Sequence, residues 1–491
     1  MDSQARRSVV EQAWPWSDAL ARRTRGVGDE IATIMALSNA SDVISFSGGF
    51  PDPATFPGEV LADLVRELVL SGDASALQYT PTQGLPGPRA FLRERLGQLE
   101  GREPAEAELA VTSGGIEALE LVSKIFLDPG DLVMVEAPTY LGAVMAFRSF
   151  QAETECVEID GDGLLVDVLE DRLAAGRRPK LVYVIPDHQN PAGVSLAAER
   201  RVALVELARR HGFLLLEDVA YRELGFDGSR LPGLWSQAPD VVLQLGTFSK
   251  TFFPGVRLGW VAGPAEVVAW LVTAKQNTDQ CAGGLGQRLL EEYGRRGLLD
   301  EQIVAARALY RRRCGLLMAA MEAQMPEGVR WTRPGGGFFS WVTLPPEVDA
   351  AELSRAAMAQ GVAFVPGAPF FPDGQGRNQL RLSFSKVDDA LIAEGVRRLS
   401  AILVGKRGGV AKSSGGVGKV EHALLAQVPG EGSAPQPPAP EGVHPTFRQI
   451  DDGGLDQGGE ATHAEPERLC GELLGSVVDP RCDQHRECQN S

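Results

Sequence analysis

Lys250 sits in the run GTFSKTFFPGVRLGW, residues 246–260, directly after Thr247, Phe248 and Ser249 and seven residues before Arg257. An amine in that setting suits a Schiff base with an aldehyde cofactor, with the two hydroxyls and the guanidinium holding the cofactor's phosphate. Taken alone, the same lysine reads equally well as a surface lysine in a loop. Other segments add groups of complementary chemistry. Asp218 closes the apolar run FLLLED. A carboxylate there can pair with a protonated ring nitrogen, or be an ordinary strand-end or helix-capping aspartate. In TSGGIEAL, Ser113, Gly114 and Gly115 open a helical pattern. Amides at a helix start favour an anion, and glycines permit its close approach. Asn190 stands in PDHQNPAG, a turn former in its own right.

The order of these segments resembles that in the fold-type I, class I/II aminotransferases that use pyridoxal 5′-phosphate (PLP), especially the branch with the 2-aminoadipate and aromatic aminotransferases. The resemblance covers about residues 20–403. It implies PLP as cofactor, Lys250 as the Schiff-base lysine and later the base for the Cα proton, and Asp218 as the anion at the ring nitrogen. Tyr221, three residues after Asp218, and Asn190 are the implied partners of the cofactor's 3′-oxygen. Tyr140, in EAPTYLGA, matches the aromatic stacked on the ring face; its plainer reading is a core tyrosine. Ser113, Gly114, Gly115, Thr247, Ser249 and Arg257 form the implied phosphate cup. Relatives often carry Ser or Ala and then glutamine where this chain has Gly115 and Ile116, so its cup relies more on backbone donors.

The resemblance also assigns the substrate side. Arg381, in NQLRLSFS, is the implied clamp for the α-carboxylate, since a planar guanidinium grips a carboxylate bidentately and thereby orients the Cα–H bond. Asn190 and Gly49, the latter in SFSGGFPDPATFP, are the other implied substrate contacts. Tyr79, in LQYTPTQGLPGPRAFL, matches a tyrosine that reaches the phosphate of the neighbouring subunit, which implies a homodimer with shared active sites. The implied reaction moves the amino group of an L-α-amino acid to a 2-oxo acid by a ping-pong scheme through pyridoxamine phosphate. A PLP lyase, decarboxylase or oxidase on the same scaffold is the alternative, because the same site serves those reactions in other geometries. A ligand-sensing regulator domain is more remote: only some 20 residues precede the aminotransferase-like part, too few for a DNA-binding helix-turn-helix.

For the substrate side chain, the telling stretch is RGVGDEIATI, where the aminoadipate branch often carries an arginine that meets an acidic group. Here it offers Asp29 and Glu30, with Arg25 displaced. A neutral, aromatic or branched apolar substrate is expected, with a basic one as the alternative. His188, beside Asp187, has no Ser or Cys motif to serve and reads as a supporting or merely polar residue.

The elements that must hold these groups follow from patterning. Apolar runs at 109–112, 132–137, 155–159, 181–185, 213–217, 241–246 and 258–262 read as strands, most of them continuous, as expected where helices cover both faces. Helical patterns at 115–127, 195–211 and 286–296 lie between or after them. The fold class is therefore α/β: a mostly parallel, seven-stranded sheet in a large domain, residues 46–290, with a smaller α+β domain at 291–404; the resemblance implies that this is PLP-transferase fold type I. Residues 1–45 are expected to be an N-terminal arm returning to the small domain. Lys250, Asn190 and Asp218 then fall at carboxyl ends of strands, where such sheets collect ligands.

Composition is that of an ordinary globular chain, 44% hydrophobic and 23% charged, with no apolar run of membrane-spanning length. The net charge of −17 and the absence of a basic patch argue against nucleic-acid or membrane partners. The N-terminus lacks a signal-peptide pattern, and scattered cysteines fit a reducing cytoplasm. Residues 405–491 are rich in Gly, Pro and polar residues and are expected to be a disordered acidic tail beyond the usual family end. The tail has eight basic and thirteen acidic residues, so −12 of the charge belongs to residues 1–404. Its Cys470, Cys482, His485 and Cys488 lack the paired spacing of a zinc site, so no metal is expected.

Overall fold

The structure is a computed structural model describing residues 19–24, Ile34 and 42–410. Its main sheet runs, from one edge to the other, through Leu109–Thr112, Gly259–Ala262, Val242–Thr247, Leu214–Asp218, Leu181–Val184, Leu132–Ala137, Glu153–Asp160 and Gly163–Leu164. Seven of these strands are those expected from the apolar runs. The eighth, Gly163–Leu164, is a two-residue antiparallel return on Glu153–Asp160, too short to leave a periodic signal. Gly259–Ala262 is antiparallel to both its neighbours, and the central pairs are parallel.

Alternation within the continuous strands feeds two apolar layers. Val133, Val135, Leu181, Leu243 and Leu245 join one core cluster with Leu119 and Val122 of helix Gly115–Phe126. Leu132, Met134, Val182, Val184 and Val242 join another with Leu204 and Val205 of helix Ala198–His211. Successive side chains point to opposite faces, so a strand apolar at every position needs helices on both sides.

The first of those layers continues under a second, antiparallel sheet, ordered Arg330–Trp331, Phe339–Thr343, Gln379–Ser383 and Val365–Pro366. Helices Leu298–Gln324 and Asp389–Val410 pack on each other beside it. Ile44–Ser45 pairs in parallel with Val362–Ala363 in a separate two-stranded sheet, which ties the N-terminal side to the smaller domain. The boundary expected at 290/291 falls inside helix Gly284–Arg295. The closing helix runs past the expected 403 to Val410, and the rest of the 405–491 tail lies outside the described residues, as do Arg25, Asp29 and Glu30.

Loops at the carboxyl edge of the main sheet are tied down by buried ion pairs. Arg222 donates to Asp187 and to Glu100, each at 2.8 Å, and Arg201 donates to Asp187 at 2.6 Å. Burial first, and then Glu217, raise the Glu100 carboxyl, which Arg222 pulls down again; the balance is about 7. This cluster joins the loop after Leu181–Val184 to the turn after Asp218. Arg222→Met removes the shared cation, leaving the buried Glu100 without an ion-pair partner and Asp187 with Arg201 alone. It should cost about 3–5 kcal/mol in denaturant unfolding. A loss below about 1 kcal/mol would show that the cluster does not hold these loops.

Candidate active site

Six strands of the main sheet point the same way, and the carboxyl ends of five of them surround one cavity of about 260 Å³. The loop out of Val242–Thr247 carries Lys250 and returns through Arg257 to Gly259–Ala262. Thr247 and Thr112 both register with Gly259, so the starts of the two loops and the turn at Gly114 are brought side by side. Only glycine fits at 259: a Cβ there would lie 2.6 Å from the Gly246 carbonyl oxygen and 2.9 Å from the Gly114 carbonyl carbon. Of the residues expected from sequence, Gly49, Gly115, Tyr140, Asn190, Tyr221, Thr247, Ser249, Lys250, Arg257 and Arg381 all line this cavity.

Lys250 Nζ donates to the Gly49 carbonyl at 2.8 Å. Burial, reinforced by the nearby Arg381 and Arg257 and opposed by Asp218, lowers its amine to about 8. Asp218 accepts from the Tyr183 hydroxyl at 2.8 Å and from the Ala220 amide at 3.1 Å. Burial raises its carboxyl, while those two donors and Lys250 favour the charged form. Tyr183 was not singled out from sequence, although a tyrosine inside the otherwise aliphatic run LVYVI needs a buried hydroxyl partner and was the available signal. Tyr221 packs edge-on against Phe338 and Phe339. The Tyr140 hydroxyl, buried and near Asp218, is pushed up to about 12.

On one side of Lys250 the groups suit an anion. Arg257 adopts a left-handed conformation (φ 54°) and donates to the carbonyls of Pro254 and Ser113 at 3.2 and 3.4 Å, with Ser249 Oγ at 3.5 Å. The hydroxyls of Thr247 and Ser249 are 3.0 Å apart. Gly115 begins helix Gly115–Phe126, whose first amides have no carbonyl partner within the helix. Gly114 (φ 101°) passes so close to Arg257 that a Cβ would sit 2.6 Å from Nη2. Ser113 departs from expectation: its hydroxyl donates to Asp279 at 2.5 Å and its amide to Glu117, so neither is directed to the cavity. Asp279 and Glu117 outcompete the cavity because both lie within the serine's immediate reach.

Arg381, only 5% exposed, lies on the other side. It donates to Asn190 Oδ1 at 3.0 Å and to the Ser47 carbonyl at 2.8 Å, and its carbon Cζ lies 4.2 Å from the Phe339 ring centroid and 5.0 Å from that of Phe370. Its Nε has no hydrogen-bond partner, and among the described residues no carboxylate lies within ion-pair distance of it. Burial lowers it to about 10. Gly49 sits against Phe339, where a Cβ would be 2.7 Å from the ring.

Apolar groups complete the wall: Ile34, Phe50, Ile116, Leu141, Phe339 and Phe370. Phe50, Phe339 and Phe370 were not foreseen, since each comes from a segment remote from the lysine motif. Ser113, Gly114 and Asp218 are expected residues that do not line the cavity, and Tyr79 and His188 stand apart from it. Tyr79 is 76% exposed and away from the cavity. His188 lies behind it, its ring against Gly225 and Gly336, and burial lowers its pKa. Among the described residues there is no cluster able to hold a metal and no helix long and apolar enough to cross a membrane; the tail cysteines lie outside them.

The arrangement fits a phosphorylated aromatic aldehyde. It provides an anion cup at one end, an amine beside it and a carboxylate held by Tyr183 beneath. Comparison with known proteins agrees. The model for aminotransferase class I and II matches residues 42–399, so the chain belongs to that family. It is 38% identical over 377 residues to aromatic-amino-acid aminotransferase 1 of Thermococcus litoralis, covering 76% of this chain and 90% of that one. Among solved structures, a kynurenine aminotransferase of Pyrococcus horikoshii shares 36% identity at TM-score 0.77, covering 81% and 99% of the two chains. An α-aminoadipate aminotransferase of Thermus thermophilus, complexed with N-(5′-phosphopyridoxyl)-L-leucine, shares 38% at 0.75, covering 80% and 99%. The protein is thus a PLP-dependent aminotransferase of fold type I that acts on amino acids.

An amine near pKa 8 makes a testable demand. Cofactor capture by the apoenzyme, followed by absorbance after rapid mixing, should accelerate as pH rises to about 8 and then level off, because the neutral amine is the nucleophile. A rate still climbing about tenfold per pH unit above 9 would mean an unperturbed lysine.

Proposed function

We propose that this aminotransferase takes amino acids with neutral apolar or aromatic side chains, holding the α-carboxylate on Arg381 and the cofactor's phosphate on Arg257, Thr247, Ser249 and the Gly114–Gly115 turn. The observation that carries the reading is the buried Arg381 guanidinium, left with a free Nε and no carboxylate partner among the described residues. A buried cation of that kind is strongly stabilised by an incoming anion, and its fork suits a carboxylate. Among the described residues, the apolar wall of Ile34, Phe50, Ile116 and Leu141 offers an acidic side chain nothing to pair with. The names of the aromatic and kynurenine relatives, and the leucine adduct in the aminoadipate enzyme, accord with such substrates.

PLP, when bound, supplies an aldehyde for the amino group and a cationic ring that withdraws electrons from the carbon next to it. Asp218 holds the proton on the ring nitrogen, and Tyr183 holds Asp218 in place. Tyr221 and Asn190 are assigned to the 3′-oxygen and Tyr140 to the ring face. Arg381 fixes the carboxylate, with Asn190 bridging to it, and Gly49 leaves room above the substrate. Lys250 Nζ, neutral above about pH 8, is the base for the Cα proton. The exposed Tyr79 is assigned to the site of a second copy, in a homodimer with shared active sites. A cytoplasmic location accords with the free thiols of Cys156, Cys281 and Cys314.

Initial rates with a panel of amino donors, against 2-oxoglutarate and pyruvate, test this reading. Aromatic and branched apolar donors should exceed aspartate, glutamate and 2-aminoadipate in kcat/KM by at least about tenfold. Arg381→Lys should lower kcat/KM for every donor by roughly 30- to 900-fold, the equivalent of about 2–4 kcal/mol. A preference for acidic donors, or unchanged kinetics in Arg381→Lys, would contradict it.

A further inference from the structure

One buried charged cluster stands outside the proposed chemistry yet touches the anion-holding turn. Lys275, on helix Ala265–Gln276, is 1% exposed. Its Nζ donates to Glu117 at 2.7 and 2.8 Å and to both oxygens of Asp279 at 2.7 Å. These two carboxylates hold Ser113 from both sides, one through its amide and the other through its hydroxyl. The Ser113 carbonyl in turn accepts from Arg257, and the next residue, Gly114, precedes the first free amides of helix Gly115–Phe126. Thr112 Oγ1 also donates to the Gly114 carbonyl at 3.2 Å, and Lys275 Nζ itself lies 3.5 Å from Ser113 Oγ.

Two carboxylates beside a phosphate site are electrostatically adverse, because like charges a few ångströms apart in a poorly solvated region repel strongly. Burial and the neighbouring Asp279 already raise the Glu117 carboxyl. Among the described residues, Lys275 is the only cation within ion-pair distance of either carboxylate. We propose that Lys275 is a positioning residue for the phosphate cup: by neutralising Glu117 and Asp279, it lets them fix Ser113, and so keeps the Gly114–Gly115 amides turned toward the anion beside Arg257. This rests on the reading of that turn as the phosphate site. Its signature is selective for phosphate, since the ring end of the cofactor is held by Asp218, Tyr140 and Lys250 rather than by this turn.

The test compares binding of pyridoxal phosphate and of unphosphorylated pyridoxal to full-length apoenzyme, by absorbance titration, with thermal unfolding as a check on folding. The wild type should bind the phosphorylated form more tightly. Lys275→Met should lose at least about tenfold of that preference and leave pyridoxal affinity within roughly threefold. Glu117→Gln, which keeps an acceptor for the Ser113 amide and removes a negative charge, should increase the preference by roughly two- to tenfold. An unchanged preference in Lys275→Met, an equal loss for both ligands, or a Glu117→Gln preference unchanged or reduced would overturn the proposal. A wild type with no preference at all would instead overturn the reading of the turn as a phosphate cup.

Discussion

A buried guanidinium with no carboxylate partner among the described residues organises this protein's cavity. Other buried cations among the described residues are paired: Arg201 and Arg222 share Asp187, Arg313 meets Asp52 at 2.6 Å, and Lys275 lies between two carboxylates. Arg381 instead faces two aromatic rings and neutral oxygens, which soften its charge without cancelling it. Its desolvation is a standing cost that a bound anion would relieve. Burial first, and then the same field with that of Arg257, lowers the Lys250 amine to about 8.

The fold brings this about by joining two sheets through one apolar layer. The main sheet supplies Asp218, Lys250 and Arg257, and the antiparallel sheet supplies Phe339 and Arg381. Between them runs the segment Ser47–Phe50, whose carbonyls accept from Arg381, Lys250 and Ser385. That segment works like a strap: its backbone registers the amine against the guanidinium, and the missing Cβ of Gly49 lets it pass beneath the Phe339 ring.

Much of this was legible in the sequence because the chemistry sits in short local segments at strand ends. The runs around Lys250, Asp218, Asn190 and Arg381 each carry their own turn or strand signal, so their convergence follows once the α/β order is read. What was hidden depends on contacts across the chain. Tyr183 looks like one more core residue until its hydroxyl is seen on Asp218, 35 positions away. Ser113 looks like a phosphate donor until Asp279, 166 positions on, claims its hydroxyl. Lys275 has the appearance of a solvent-facing helix lysine, and nothing in its neighbourhood announces burial between two acids. The aromatic wall likewise comes from three separated segments. Tyr79 is the reverse case, a residue whose motif was readable but whose surroundings within one chain do not explain it.

The central claim is that the amine of Lys250 bonds the cofactor aldehyde within this cavity. Borohydride reduction of the PLP-loaded enzyme, followed by digestion and mass spectrometry, tests it most directly. The account predicts one phosphopyridoxyl mass increment per chain, on the peptide bearing Lys250. An increment on another lysine such as Lys275, or none at all, would contradict it.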